Sequence, residues 1–262
     1  MMAGKQVVEL ARQTACSINH CQKMKNKNFI VIGASGGIGS QLVADLNDVH
    51  CNLLLGYHNE IPNIDYPIVR SAPVECQSFE SIMSFIEDCK NEVDHVDGVV
   101  SLPGSILLKP PHFISEEEFH DVINLNLKSA FGVVRAAGKL LNNSSIVLLT
   151  TAVTAIGLAN HEMIVAAKAG IESMVRSAST TYSSKSLRFN AVGPGLVDTP
   201  LSDRITKNPK ALEISLKMHS SDRIGSPKDI SAMIQFLLDP KNDWITGQTF
   251  RVDGGLSSTK TP

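Results

Sequence analysis

The chain has 262 residues, with 24 Lys+Arg against 26 Asp+Glu, a formal net charge of −2, and hydrophobic and charged shares of 43% and 19%. At about 100–200 residues per domain, this length fits one large α/β domain that buries its core without staples. Near-neutral charge argues against a nucleic-acid binder working by phosphate neutralisation, ordinary composition argues against disorder, and no apolar run approaches the roughly 20 residues of a bilayer span.

Residues 1–26 read as an N-terminal extension and residues 27–262 as a single domain. Val7, Val8 and Leu10 are soon followed by Arg12, Gln13 and Thr14, so the extension lacks a signal peptide's apolar core. Lys5, Arg12 and Lys23 against one acid, Glu9, are compatible with a transit peptide. The alternative is that Met24 is the natural start, because Met24-Lys-Asn-Lys-Asn-Phe runs straight into a strand. Cys16, His20 and Cys21 crowd together with no distant fourth ligand and make a poor metal site. The five cysteines (Cys16, Cys21, Cys51, Cys76, Cys89) are odd in number and lack a CxxC pair, so a reducing cytoplasm is expected rather than disulfides or structural zinc.

Strands and helices then alternate. Phe29 to Gly33, Asn52 to Gly56, Val96 to Ser101, Ser145 to Thr150, Leu187 to Val192 and Thr249 to Val252 read as strands, with Tyr66 to Val69 a weaker candidate. Helical spacing appears in Ile38, Leu42, Val43 and Leu46, in Phe79 to Cys89, in Phe119 to Leu141 and in Met163 to Thr181. Continuous apolar strands alternating with helices predict a parallel sheet buried on both faces. The expected architecture is one doubly wound Rossmann domain, a seven-stranded parallel sheet with helices on both faces.

The first strand leads into Gly33-Ala34-Ser35-Gly36-Gly37-Ile38-Gly39 and then a helix. Glycines there permit a tight turn and close approach of the backbone to a pyrophosphate, and the helix N-terminus adds donors and a positive dipole end. Between a first strand and a first helix, this pattern points to dinucleotide binding.

On these residues the chain resembles the short-chain dehydrogenases/reductases, most closely the bacterial 3-oxoacyl-acyl-carrier-protein reductases. Gly33, Gly37 and Gly39 match that family's Gly-x-x-x-Gly-x-Gly pattern. Further matches are Asn126 in Asn-Leu-Asn-Leu-Lys, Asn190-Ala-Val-Gly-Pro-Gly-Leu-Val-Asp-Thr199, and Ile245-Thr-Gly-Gln-Thr-Phe-Arg-Val-Asp-Gly-Gly255. The resemblance implies an NAD(P)(H)-dependent oxidoreductase moving hydride between a carbonyl and a hydroxyl, on a 3-oxoacyl thioester or similar ketone. It implies cofactor contacts at Gly33, Ser35, Gly36, Gly37, Ile38, Gly39, Lys168, Pro194, Gly195, Val197 and Thr199, and a homodimer or homotetramer. Tyr57 stands where an acid would select NAD, with His58 beside it, and Glu75 takes the place of the family's adenine-binding Asp. Without a carboxylate to repel a 2′-phosphate at Tyr57, NADP(H) is favoured over NAD(H), although the glycine loop carries Gly36 where NADP-using relatives often have a basic residue.

In this family a Tyr protonates the carbonyl oxygen, a Lys four residues later lowers that Tyr's pKa and holds the nicotinamide ribose, a Ser donates to the oxyanion, and an Asn stands behind them. Here Lys168 matches the Lys, Asn126 the Asn and Thr151 the Ser, but Ile164 occupies the Tyr position. Tyr57, Tyr66 and Tyr182 all lie far from it in sequence. A second departure is Ser101-Leu-Pro-Gly104 in place of Asn-Asn-Ala-Gly. The candidate catalytic residues are Asn126, Thr151, Lys168 and His161, with the proton coming from His161 or from ordered water; Glu162 is a weaker candidate. Asn126 has the alternative role of bridging helix backbone, Thr151 of bonding nearby backbone, and His161 of a surface loop residue. The long segment at about 196–222 reads as a substrate loop. The competing reading is an inactive NADP(H)-binding member that serves as a sensor or partner subunit.

Overall fold

The structure is a computed structural model that describes residues 24–60 and 64–259. The strands are β1 (Asn28–Ile32), β2 (Asn52–Tyr57), β3 (Arg70–Pro73), β4 (Gly98–Ser101), β5 (Ser145–Leu149), β6 (Arg188–Pro194) and β7 (Thr249–Val252). All pair in parallel in the order β3-β2-β1-β4-β5-β6-β7. The helices are α1 (Gly37–Asp48), α2 (Phe79–Glu92), α3 (Glu116–Val122), α4 (Ser129–Leu140), α5 (Glu162–Thr181), α6 (Asp203–Thr206), α7 (Pro209–Met218) and α8 (Pro227–Leu238).

Strand side chains alternate between faces, so each buried strand feeds two cores. Ile30, Ile32, Val99, Ile146, Leu148 and Phe189 pack on one face with Ile82 and Ile86 of α2, Val133 of α4 and Val175 of α5. Phe29, Val31, Leu53, Leu55, Val100 and Val147 pack on the other with Leu42 and Leu46 of α1 and Ile230 and Ile234 of α8. Burial on both sides is why these strands read as unbroken apolar runs. The sheet order reverses between β1 and β4, which opens a crevice beyond the C-terminal ends of those strands.

Three expectations change in detail. The weak strand expected at Tyr66 to Val69 lies instead at Arg70–Pro73. Pro67 has no N–H to donate and holds Tyr66 off the ladder, so pairing begins only where Val69 N donates to Leu53 O at 2.9 Å. The helix expected from Phe119 to Leu141 starts earlier, behind a capping box of Ser115 and Glu118, and is broken by a wide π-turn over Ile123–Lys128. Within the proposed substrate loop, α6 and α7 form, the latter begun by Pro209 and capped by the Asn208 side chain.

Met24 is fully buried against the α1 side, and Asn26 N donates to His50 O, so the packed unit includes residues 24–26 that the sequence reading placed in the extension. The Cys16, His20 and Cys21 reading lies outside the described residues. Among the described residues no group of His, Cys, Asp or Glu is arranged to hold a metal, and no helix is long and apolar enough to cross a membrane.

Candidate active site

The turn after β1 is built for close backbone approach. Gly33 has φ +86°, a conformation that favours glycine, and a Cβ on Gly39 would sit 2.1 Å from Gly33 O. α1 starts behind Gly36 with no side-chain cap, and its first turn carries no acid. Its opening N–H groups and positive dipole end therefore face the crevice as an anion site. A Cβ on Gly37 would meet the Thr199 side chain at 2.8 Å, so the loop after β6 closes over the glycine turn. These features fit the pyrophosphate of a dinucleotide: a Cβ-free turn, a helix N-terminus without competing carboxylate, and a facing wall from Thr199.

Tyr57 closes β2 and His58 follows it, largely exposed. Glu75 comes just after β3, and its Oε2 lies 3.7 Å from His58 Nε2, while its Oε1 accepts from Gln77 N. Glu75 thus lies beside His58 at the end of the sheet.

A cavity of about 140 Å³ opens at the crevice beyond β4, β5 and β6. Lys168 and Ile164 on α5, Asn126 on the π-turn, Thr151 after β5, and Pro194, Gly195, Val197 and Thr199 after β6 all line it. Ile38 of the glycine turn reaches the same space.

Lys168 is only 6% exposed, and its Nζ donates to Leu149 O at 2.9 Å. Burial pushes its ammonium down from 10.5 to about 8, with no charged neighbour contributing. A Cβ on Gly104 would lie 3.2 Å from that Nζ and 3.0 Å from Asn126 Oδ1, so both polar atoms converge on the space beside Gly104. The Asn126 amide donates to Val122 O and to Ser105 Oγ and accepts from Ser105 N. By inserting between Val122 O and its usual helical donor, it props open the π-turn and ties it to the segment after β4. Thr151 Oγ1 lies 3.5 Å from both Pro194 O and Val153 N, so its hydroxyl is held loosely at the cavity wall.

The structure does not bring His161 to this cavity. It precedes α5, half-buried, with Nδ1 2.8 Å from Ala159 O. Tyr182 packs against Phe189 and Gly138, away from the cavity. Ile164 is 5% exposed in an apolar cluster with Val122, Met163 and Ala167, backed by Leu107, Ile114 and Ile123. Among the described residues, Lys168 is the one ionisable side chain lining the cavity.

Sequence reasoning passed over Glu172, one helical turn beyond Lys168. Its Oε1 accepts from Thr150 Oγ1 at 3.1 Å and from Thr154 Oγ1 at 2.5 Å, and its Oε2 from Arg251 at 3.2 Å. Thr150 Oγ1 also lies 3.1 Å from Lys168 O, and Thr154 Oγ1 2.8 Å from Thr151 O. This carboxylate clamps the Thr151 turn, α5 and β7 together. The spacing of Glu172 from Lys168 places both on one helix face, but Arg251 as partner is a tertiary fact.

A family profile described as Enoyl-(Acyl carrier protein) reductase, within the short-chain dehydrogenases/reductases, matches residues 33–257. The chain belongs to the short-chain dehydrogenase/reductase family. Its curated relatives include a 3-oxoacyl-[acyl-carrier-protein] reductase of Thermotoga maritima, 25% identical over 253 residues covering 89% of this chain and 99% of that one. A Staphylococcus epidermidis protein of the same name is 27% identical over 247 residues, covering 88% and 99%. Among solved structures, a short-chain type dehydrogenase/reductase from Mycobacterium ulcerans superposes with TM-score 0.84 at 20% identity, covering 91% of this chain and 92% of that one. A Burkholderia cenocepacia dehydrogenase with bound NADP superposes at 0.83 and 22%, covering 90% and 96%. As a short-chain dehydrogenase/reductase, the chain has its glycine turn and Lys168 at the crevice of an NAD(P)-dependent oxidoreductase fold.

Proposed function

We propose that this protein is an NADP(H)-dependent cytoplasmic reductase of ketones such as 3-oxoacyl thioesters. The observation that carries the reading is the cavity in which Lys168, Thr151, Asn126 and Ile38 of the glycine turn meet. When bound, the nicotinamide supplies a hydride to the carbonyl carbon. Lys168 holds the ribose beside it, and the Thr151 hydroxyl donates to the developing oxyanion. Asn126 acts by fixing the π-turn that carries one cavity wall. β2 carries no carboxylate to repel a 2′-phosphate, which favours NADP(H), and His58 receives that phosphate once the Glu75 carboxylate, 3.7 Å from its Nε2, turns away. Ile106 and Leu201 at the mouth offer aliphatic contact to an acyl chain.

The test is calorimetric titration with NADPH and NADH, followed by NADPH oxidation with a panel of 3-oxoacyl thioesters and simple ketones. Tighter NADPH binding with turnover supports the reading; tighter NADH binding overturns the cofactor choice. The burial of Ile164 among apolar side chains favours one competing reading, an NADP(H)-binding sensor or partner subunit, and binding without turnover on any of these ketones would select it.

The homodimer or homotetramer assembles through the groove between α2, α4 and α5. It has a volume of about 510 Å³ and is lined by Phe79, Leu127, Phe131 and Met174, with Phe131 50% exposed. Such an apolar surface on a folded domain calls for a partner. Phe131→Asp should shift the protein to monomers in sedimentation; an unchanged oligomer would place the interface elsewhere.

A further inference from the structure

We propose that Lys168 itself is the proton donor to the substrate oxygen, replacing the tyrosine that this chain lacks. The proposal rests on the reductase reading and says which atom completes its chemistry.

Reduction of a ketone needs one hydride at carbon and one proton at oxygen. The hydride comes from the reduced nicotinamide, which is oxidised. As the C=O π pair moves onto oxygen, that oxygen takes a proton from Lys168 Nζ; an O–H bond forms, an N–H bond breaks, and an alcohol and a neutral amine remain. Water then returns a proton to the amine.

Among the described residues the cavity offers no other ionisable donor. Its lining consists of aliphatic side chains, glycines, a proline, the hydroxyls of Ser105, Thr150, Thr151, Thr199 and Ser202, the Asn126 amide and Lys168. A hydroxyl gives up a proton only if something restores it, and the amide is spent on Val122 and Ser105. His161 faces Ala159 O outside the cavity. Lys168 Nζ has three N–H bonds and uses one on Leu149 O, and the nearby backbone is Gly104, which keeps the approach open.

Burial also suits the ammonium to this task. The α5 carboxylate nearest in sequence, Glu172, is engaged by Arg251 of β7, Thr150 and Thr154, and no charged side chain of β4, β5, β6 or the π-turn lines the cavity. An amine held in such surroundings releases its proton far more readily than one in water, and its lowered value of about 8 is close to the pH at which general acids work best. In a tyrosine-bearing relative the same lysine acts one step removed; with Ile164 on the adjacent helical turn, it is the ionisable donor left to complete what the Thr151 hydroxyl only polarises.

The decisive variant is Lys168→Arg, which keeps the charge and the donors for ribose but cannot release a proton. NADPH binding is measured by calorimetry and hydride transfer by single-turnover mixing with a 3-oxoacyl thioester. Binding within roughly threefold of wild type, together with a transfer rate lowered about 10²-fold or more, is expected. Wild-type transfer should also fall as pH rises through about 8. A Lys168→Arg rate within about tenfold of wild type, or a wild-type profile flat from about pH 6 to about pH 10, overturns the proposal and leaves the reductase reading standing. A wild type that binds NADPH and reduces no ketone overturns both. Should Lys168→Arg fail to fold, nitrogen-15 NMR of the lysine Nζ in cofactor-free wild type decides: a lysine titrating near 8 is expected, and charge retained on every lysine past about pH 10 refutes it.

Discussion

Replacing Lys168 with methionine should make the cofactor-free protein more stable at pH 7. The ammonium is 6% exposed and its pKa falls from 10.5 to about 8 through burial alone. A drop of about 2.5 units at about 1.4 kcal/mol each is a penalty of about 3 kcal/mol for holding the charge inside. Methionine removes that penalty and keeps the aliphatic stem, but forfeits the bond to Leu149 O, which costs about 1 kcal/mol. The net gain is about 2 kcal/mol, or roughly 4–8 °C in Tm for a domain of this size. The sign also fixes the pH window. Between about 8 and about 10.5 the unfolded chain holds a proton that the folded one has released, so wild-type stability rises with pH there. Below 8 both states are charged and the penalty is present in full. Urea unfolding of both proteins at pH 7 and pH 10 checks this: the advantage of Lys168→Met should be largest at pH 7 and shrink toward pH 10. A variant less stable than wild type at pH 7, or a difference independent of pH, would refute the account of Lys168 as a destabilising group kept for function.

Three further outcomes follow from the same geometry. Ile164→Tyr places a phenol one helical turn from Lys168 and, because Lys168 already supplies a proton, should raise ketone reduction by only about tenfold in a steady-state NADPH assay; a gain of about 10²–10⁴-fold would mean that no acid works in the wild type. Gly39→Ala puts a Cβ 2.1 Å from Gly33 O, so it should abolish NADPH binding in calorimetry, with far-UV circular dichroism reporting whether the fold survives. His161→Ala removes a ring bonded only to Ala159 O and should leave turnover within about twofold; a loss of about 10²-fold would restore it as the acid.

The fold was legible because its signals are local and redundant. Phe29 to Ile32 reads as a doubly buried strand, glycines mark the turn after it, and helical spacing in Leu42, Val43 and Leu46 sets the face of α1. Such features state their burial in composition and period alone. The placement of β3 was missed because apolar Ile68 and Val69 outweighed the effect of Pro67, whereas the pairing segment itself, Arg70 to Pro73, is polar at its start and sits at the sheet edge where little apolar burial marks it. The π-turn was invisible for a different reason. A side chain that competes for Val122 O leaves the apolar spacing from Phe119 to Leu141 almost untouched, so only the amide's partners disclose the break.

The site divides along the same line. Lys168, Asn126 and Thr151, which the resemblance picks out by their neighbours, line one cavity with Ile164, the residue it sets where the family carries a tyrosine. What replaces that tyrosine is a question about which proton-bearing atoms share a cavity, and spacing does not answer it. His161 looked plausible three residues from Ile164, yet it lies just ahead of α5 and is drawn to Ala159 O, so nearness in sequence became distance from the cavity. Lys168, four residues away on the buried face, is carried inward by the same helix that buries Ile164. With tyrosine at 164 the lysine would tune another group's proton. With isoleucine there, the lysine is the one ionisable side chain that lines the cavity among the described residues, and that placement, helped by its desolvation, is the basis for assigning it the chemistry.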